Sequence, residues 1–195
     1  MKKIVTIILL MNVFVAAQGF ELGEARGLFV SVGVGPKLPV GEFSATNDLG
    51  IGFDFTATYT DNQFFPVFFN LKLGFQTFPG STKRYKTTDY ASFTTNEFAV
   101  MPGIKFYFPP VISDEVIIMP IAEIGPSLGL FFNSHVFKSA SGKLNFDETL
   151  AKFGLHVGGG FSMFFLEGML NYYFFPDNQS ISFDLRVQIP VFAKI

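Results

Sequence analysis

Two histidines, His135 and His156, are the chain's whole supply of imidazole, and it has no cysteine. Thiol nucleophiles, thiolate metal sites, disulfides and lipid-modified cysteines are therefore excluded. Acyl hydrolysis by a serine needs a base within hydrogen-bond reach, and on a strand a Ser two residues beyond a His shares its face. Position 137 is Phe and position 158 is Gly, so neither histidine has that partner, and Ser134 and Ser162 stand in no such relation. Gly158-Gly159-Gly160 follows no strand-to-helix junction and cannot be read as a phosphate cradle. The histidines are far apart and the carboxylates come one per segment, which gives no metal-ligand spacing. The reading is no catalytic residue, no metal and no cofactor.

The charged residues are more orderly. In 181–192 the apolar residues Ile181, Phe183, Leu185, Val187, Ile189 and Val191 alternate with Ser182, Asp184, Arg186 and Gln188, the pattern of a strand with two unlike faces. The same alternation predicts strands over 28–40, 49–59, 67–75, 98–108, 118–132, 153–165 and 166–174. On their polar faces fall Lys37, Asp54, Lys72, Glu97, Lys105, Glu123, His156, Glu167, Asp184 and Arg186. Opposite charges gathered on one enclosed face must pair, because an unpaired buried charge is costly. Asp54, Lys72, Glu97, Lys105, Glu123, His156, Glu167, Asp184 and Arg186 are thus predicted to form an interior charge network, with His156 hydrogen-bonded to a carboxylate such as Glu123 or Glu167.

Composition says where the apolar faces go. The 195 residues include 28 Phe and no Trp, and only 15% are charged. Mean hydropathy is +0.37, yet beyond the first twenty residues no apolar run reaches the roughly 18 needed for a membrane helix. A chain this apolar without a spanning helix crosses a membrane as a closed barrel or buries its apolar faces in a large soluble β core. Charges on the other face favour the barrel, since lipid-facing and lumen-facing residues alternate there. The net charge of -2 with scattered basic residues gives no sign of nucleic-acid binding.

Met1-Lys2-Lys3, the apolar stretch 4–15 and the small residues Ala16-Ala17-Gln18-Gly19 read as a signal peptide cleaved after Ala17 or Gly19. Residues 20–195 then form a single all-β domain, an eight-stranded antiparallel up-and-down transmembrane β-barrel, or meander. Long and short connections alternate as such a barrel requires. Pro102, Pro120 and Pro126 fall inside predicted strands and are read as bulges or strand ends. The aromatics Phe64, Phe65, Tyr107, Phe108, Tyr172, Tyr173, Phe174 and Phe175 lie near strand ends, where an interfacial girdle belongs. Loop 80–95 carries Lys83, Arg84, Tyr85, Lys86 and Tyr90, a surface able to meet lipopolysaccharide phosphates or an extracellular ligand.

The opening strand with Gly33 and Gly35, the meander and the amphipathic last strand resemble the small bacterial outer-membrane β-barrel families of the OmpA/OmpX and porin-like kind. The resemblance implies residence in the outer membrane after export, contact with outer-membrane lipid and lipopolysaccharide, and assembly by the insertion machinery through the C-terminal strand. Three functions are compatible with it: a non-enzymatic barrel with a salt-bridged, plugged lumen, a narrow channel for a small or hydrophobic solute, and a soluble periplasmic barrel binding an apolar ligand.

Overall fold

A computed structural model describes residues 26–112, 117–163 and 165–194; the predicted leader lies outside them. The alternating segments form β1 (Arg26–Val40), β2 (Gly50–Asp61), β3 (Val67–Pro79), β4 (Tyr90–Tyr107), β5 (Val111–Ile112), β6 (Ile117–Phe137), β7 (Phe146–Met163), β8 (Leu166–Phe174) and β9 (Gln179–Lys194). Every neighbouring pair is antiparallel, β1 pairs with β9, and β4 pairs with β6, which closes eight strands into a ring. The two-residue β5 lies outside the ring, against β6. This is the eight-stranded meander. Closure leaves no free edge around the ring, which matters in hydrocarbon, where each unsatisfied backbone group costs several kcal/mol.

The side chains divide by parity. Val32, Val34, Phe53, Phe55, Leu71, Leu73, Leu185 and Val187 point outward and are exposed, while Gly33, Asp54, Lys72, Asp184 and Arg186 between them are buried inside. A soluble barrel has the opposite polarity. The connections 61–67, 107–117 and 163–166 gather at one end with Arg26 and Lys194; 40–50, 79–90, 137–146 and 174–179 gather at the other. The first set is the turn end and the second the loop end.

Several boundaries differ from the sequence reading. β4 begins at Tyr90, β6 runs to Phe137 and β7 begins at Phe146, so the end of the predicted loop 80–95 and about half of the stretch between the predicted strands 118–132 and 153–165 are strand. Cross-strand pairing carries on there in unbroken steps from Phe131↔Leu150 to His135↔Phe146. Apolar alternation fades because these residues lie beyond the roughly 10 that a tilted strand needs to span a bilayer. The prolines are also corrected. Val100 pairs with Leu128 and Ile104 with Ile124, so an unshifted register sets Pro102 opposite Pro126. Two residues that lack donors face each other at a single gap in the ladder, and neither a bulge nor a strand end is needed. Pro120 likewise sits within β6, paired with Phe161.

Candidate functional site

The interior is built in layers. Arg186, on β9, holds the middle one: its Nε lies 3.2 Å from Asp54 Oδ1, and its Nη1 donates to Glu123 Oε2 at 3.2 Å. Lys72 Nζ donates to the other oxygen of Glu123. Because β3 and β6 are not neighbours in the ring, the Lys72–Glu123 pair crosses the lumen. Lys105 and Glu167 make a second crossing, from β4 to β8, with Nζ 2.9 Å from Oε2; Tyr107 Oη donates to Glu167 Oε1 at 2.7 Å. Lys37 and Asp184 form a third pair at 2.6 Å, and Asn171 and Ser182 both donate to Asp184. Arg186, Lys72, Lys105, Glu123 and Glu167 are all 0% exposed at their side chains.

Space for these long side chains comes from glycine. A Cβ at Gly33 would lie 2.6 Å from Arg186 Cγ and 2.8 Å from Asp54 Oδ2, and one at Gly52 would lie 2.7 Å from Lys37 Cε. Eight strands enclose an interior only just wide enough for side chains, so small residues on one strand make room for charged ones on the next.

Two of the predicted residues behave differently. Glu97 is buried but lies in no salt bridge among the described residues; it accepts from Gln76 Nε2 at 3.4 Å. His156 meets no carboxylate, and its Nδ1 shares a 3.0 Å hydrogen bond with Ser127 Oγ. The carboxylates proposed for it are occupied, Glu123 by Lys72 and Arg186, Glu167 by Lys105 and Tyr107. Ser127, on the polar face of its strand by parity but not expected as a partner of His156, is brought there by the β6–β7 register, which pairs Gly125 with His156 and so sets Ser127 diagonally across. Both are 1% exposed, with no open face for a substrate.

Above the charges, toward the loop end, Ala99, Met101, Phe131, Tyr173 and Phe175 form a buried apolar cluster. Phe43, on a one-turn helix (Phe43–Thr46), packs edge-on to Phe78 at 4.8 Å beside it. Tyr107, Tyr173 and Phe175, read as girdle residues, thus face inward, while Phe65, Phe108 and Phe174 face outward. Parity with Lys105 and Asn171 places Tyr107 and Tyr173 inside. Proximity to a strand end was the wrong guide.

No family model and no curated protein matches the chain. Among solved structures, the chain is similar to Ail, the attachment invasion locus protein of Yersinia pestis, in complex with the heparin analogue sucrose octasulfate. The TM-score is 0.53 at 13% identity, over 85% of this chain and 99% of that one. This chain has the fold of the small outer-membrane β-barrels. Neisserial surface protein A (TM-score 0.48, 12% identity, 85% and 97% covered) and the N-terminal β-barrel domain of Pseudomonas aeruginosa OprF (0.46, 11%, 85% and 98%) also match.

On this outer-membrane-type barrel the loop end is uneven. β6 has 21 residues and β8 has 9, so β4, β6 and β7 stand out beyond the rest as a three-stranded extension. Pairing of β7 with β8 starts at Leu155↔Phe174, leaving 146–154 as a sheet edge among the described residues. The extension is laced by aromatics. His135 stacks on Phe146 at 4.3 Å, Tyr90 stacks on Phe137 at 4.6 Å, and Tyr90 Oη is 3.0 Å from His135 Nδ1. The predicted surface set is divided here. The Arg84 guanidinium lies over the rings of Tyr90 and Phe93, and Tyr85 Oη bonds to the Phe93 backbone. Lys83 and Lys86, on the helix Thr82–Thr87, remain exposed. Lys143 Nζ donates to Asp89 at 2.7 Å and holds that carboxyl below its ordinary range.

Because His135 joins all three strands of the extension and touches none of the lumen ion pairs, His135→Ala is expected to raise amide exchange in 131–137 and 146–150 at least tenfold. The unfolding midpoint of the barrel should stay unchanged, as hydrogen exchange and urea titration on the same sample will show.

Proposed function

We propose that the chain is a non-enzymatic integral outer-membrane protein whose lumen is closed to solutes, presenting the β4–β6–β7 extension to the outside. The observation that carries this reading is the set of lumen-crossing pairs, Lys72–Glu123, Arg186–Glu123 and Lys105–Glu167, beneath the apolar cluster of Met101, Phe131 and Phe175. A solute would have to separate buried ion pairs to pass, at several kcal/mol each. Reconstituted in a planar bilayer, the protein is expected to give no resolved current steps. Regular steps in the wild type, lost in Glu123→Ala or Arg186→Ala, would instead establish the narrow channel.

An interaction role rests on the loop end. Lys83 and Lys86 stand three residues apart on one exposed helix, while the other cations of the extension are engaged: Arg84 on rings, Lys138 on the carbonyls of Tyr85 and Thr88, Lys143 on Asp89. We assign to Lys83 and Lys86 the contact with lipopolysaccharide phosphates. Replacing both with alanine is expected to weaken binding to lipopolysaccharide about threefold to tenfold at low salt, with the difference shrinking in 0.5 M salt as surface charges are screened. Equal binding by both proteins would remove the assignment. Export by the predicted leader and insertion through β9 complete the proposal.

A further inference from the structure

The polarity of the two faces inverts where β4, β6 and β7 rise beyond the lipid-facing band. Phe98, Leu130 and Ala151 lie side by side on the outer face as its last apolar row. Asn96, Phe132 and Thr149 form the next row, and Thr94, Ser134 and Asp147 the one above it. The aromatics Phe93, His135 and Phe146 pack together on the opposite face. The outer face thus passes within one row from hydrocarbon to hydroxyls, an amide and a carboxylate, and one ring, Phe132, stands among them 42% exposed.

These rows enclose a hollow of about 250 Å³ whose walls include Asn96, Phe132, Ser134, Asp147 and Thr149. It is smaller than the roughly 300–1,000 Å³ of pockets that bury a drug-sized ligand, and so suits a single ring. Asn96, Ser134, Asp147 and Thr149 make no side-chain hydrogen bond to other described residues, which leaves an amide, two hydroxyls and a carboxylate with donors and acceptors to spare. A pyranose ring has the matching chemistry: a face of C–H groups to lie on an aromatic ring, and a rim of hydroxyls that both donate and accept. The charged walls are Asp147 and Glu148, with no basic side chain among them. Like charge repels a phosphate or a carboxylated sugar, so the hollow selects an uncharged one.

We infer that this hollow binds an uncharged sugar ring of the lipopolysaccharide core, stacked on Phe132 and hydrogen-bonded by Asn96, Ser134, Asp147 and Thr149. Position selects that source. The Phe132 row is less than about 7 Å above the last apolar row, two residues along a strand, and it is continuous with the lipid-facing wall. Sugars of lipopolysaccharide anchored beside the barrel lie against the wall at that level, and a glycan from the medium would have to displace them. The inference rests on the outer-membrane reading, but not on a closed lumen and not on Lys83 and Lys86, to which the phosphates are assigned. It adds a second hold on the same molecule that does not depend on charge.

The probe is core oligosaccharide released from lipopolysaccharide by mild acid and then dephosphorylated, so that it carries neither lipid A nor phosphate. Titrated calorimetrically into the full-length barrel folded in detergent micelles, it is expected to bind the wild type, and Phe132→Ala is expected to raise Kd about tenfold. Lys83→Ala combined with Lys86→Ala, or a change to about 0.5 M salt, should alter Kd less than about twofold, because the contact is uncharged. A second variant guards against a Phe132→Ala protein that fails to fold. Phe132→Trp keeps a ring in place and introduces the sole tryptophan of the chain; its emission should shift and saturate as the oligosaccharide is added. No binding by the wild type, equal Kd for the wild type and Phe132→Ala, or equal affinity for maltoheptaose, an uncharged glucan foreign to the membrane, would each overturn the inference. A protein that fractionates with the outer membrane yet binds no oligosaccharide loses this site alone and keeps the outer-membrane reading.

Discussion

Glu123→Ala is expected to destabilise the folded barrel by about 3–5 kcal/mol, the largest effect of any single truncation in the interior. Glu123 is the shared acceptor for Lys72 and Arg186, which reach it from β3 and β9 across the lumen. Removing it leaves two buried cations without that carboxylate; Arg186 keeps Asp54, and Lys72 loses its ion-pair partner among the described residues. The loss should appear as a lower urea midpoint with an unchanged slope, followed in lipid vesicles by the folded-to-unfolded band shift. Lys72→Met in the same background removes the stranded ammonium and should recover part of the loss, since an apolar replacement of a buried pair is often tolerated. A Glu123→Ala protein as stable as the wild type would mean that the charges are hydrated, and the lumen open.

Leu185→Arg is expected to cost about 2–4 kcal/mol, although Leu185 is 52% exposed and touches no part of the interior. On a soluble protein an arginine at such an exposed position would change stability by less than about 0.5 kcal/mol. The penalty exists only if hydrocarbon lies against that face, next to the buried Asp184 and Arg186. Measured in vesicles, the variant should unfold at lower urea and insert more slowly. A neutral Leu185→Arg would place that face in water.

The strand count, the closed meander and the polarity of the two faces were legible because each spanning segment obeys one simple rule, alternation between lipid and lumen. The seventh predicted strand, 166–174, matches β8 from end to end, and most inward charges were identified by parity alone. Beyond the spanning region the rule fails. Tyr90, Phe93, His135 and Phe146 pack against each other across strands with no lipid to impose alternation, so the extension was read as loop. Partner choice was also hidden. Which carboxylate meets which cation depends on the stagger of the ring, and the sequence could not show that Glu123 and Glu167 were already occupied, leaving His156 to Ser127. Proline was misread for a related reason: Pro102 is an anomaly in one strand and ceases to be one when Pro126 is seen opposite.

The account rests on a closed barrel seated in the outer membrane, and one experiment addresses that directly. Cells expressing the protein are fractionated, and the outer-membrane fraction is run on a denaturing gel with and without boiling. The protein is expected to require detergent for extraction and to migrate faster unboiled, because a ring with no open edge resists the denaturant at room temperature. A species that is released without detergent and migrates identically under both conditions would contradict the lipid-facing assignment of Val32, Phe53, Leu73 and Leu185, and with it the lumen and the extension as described.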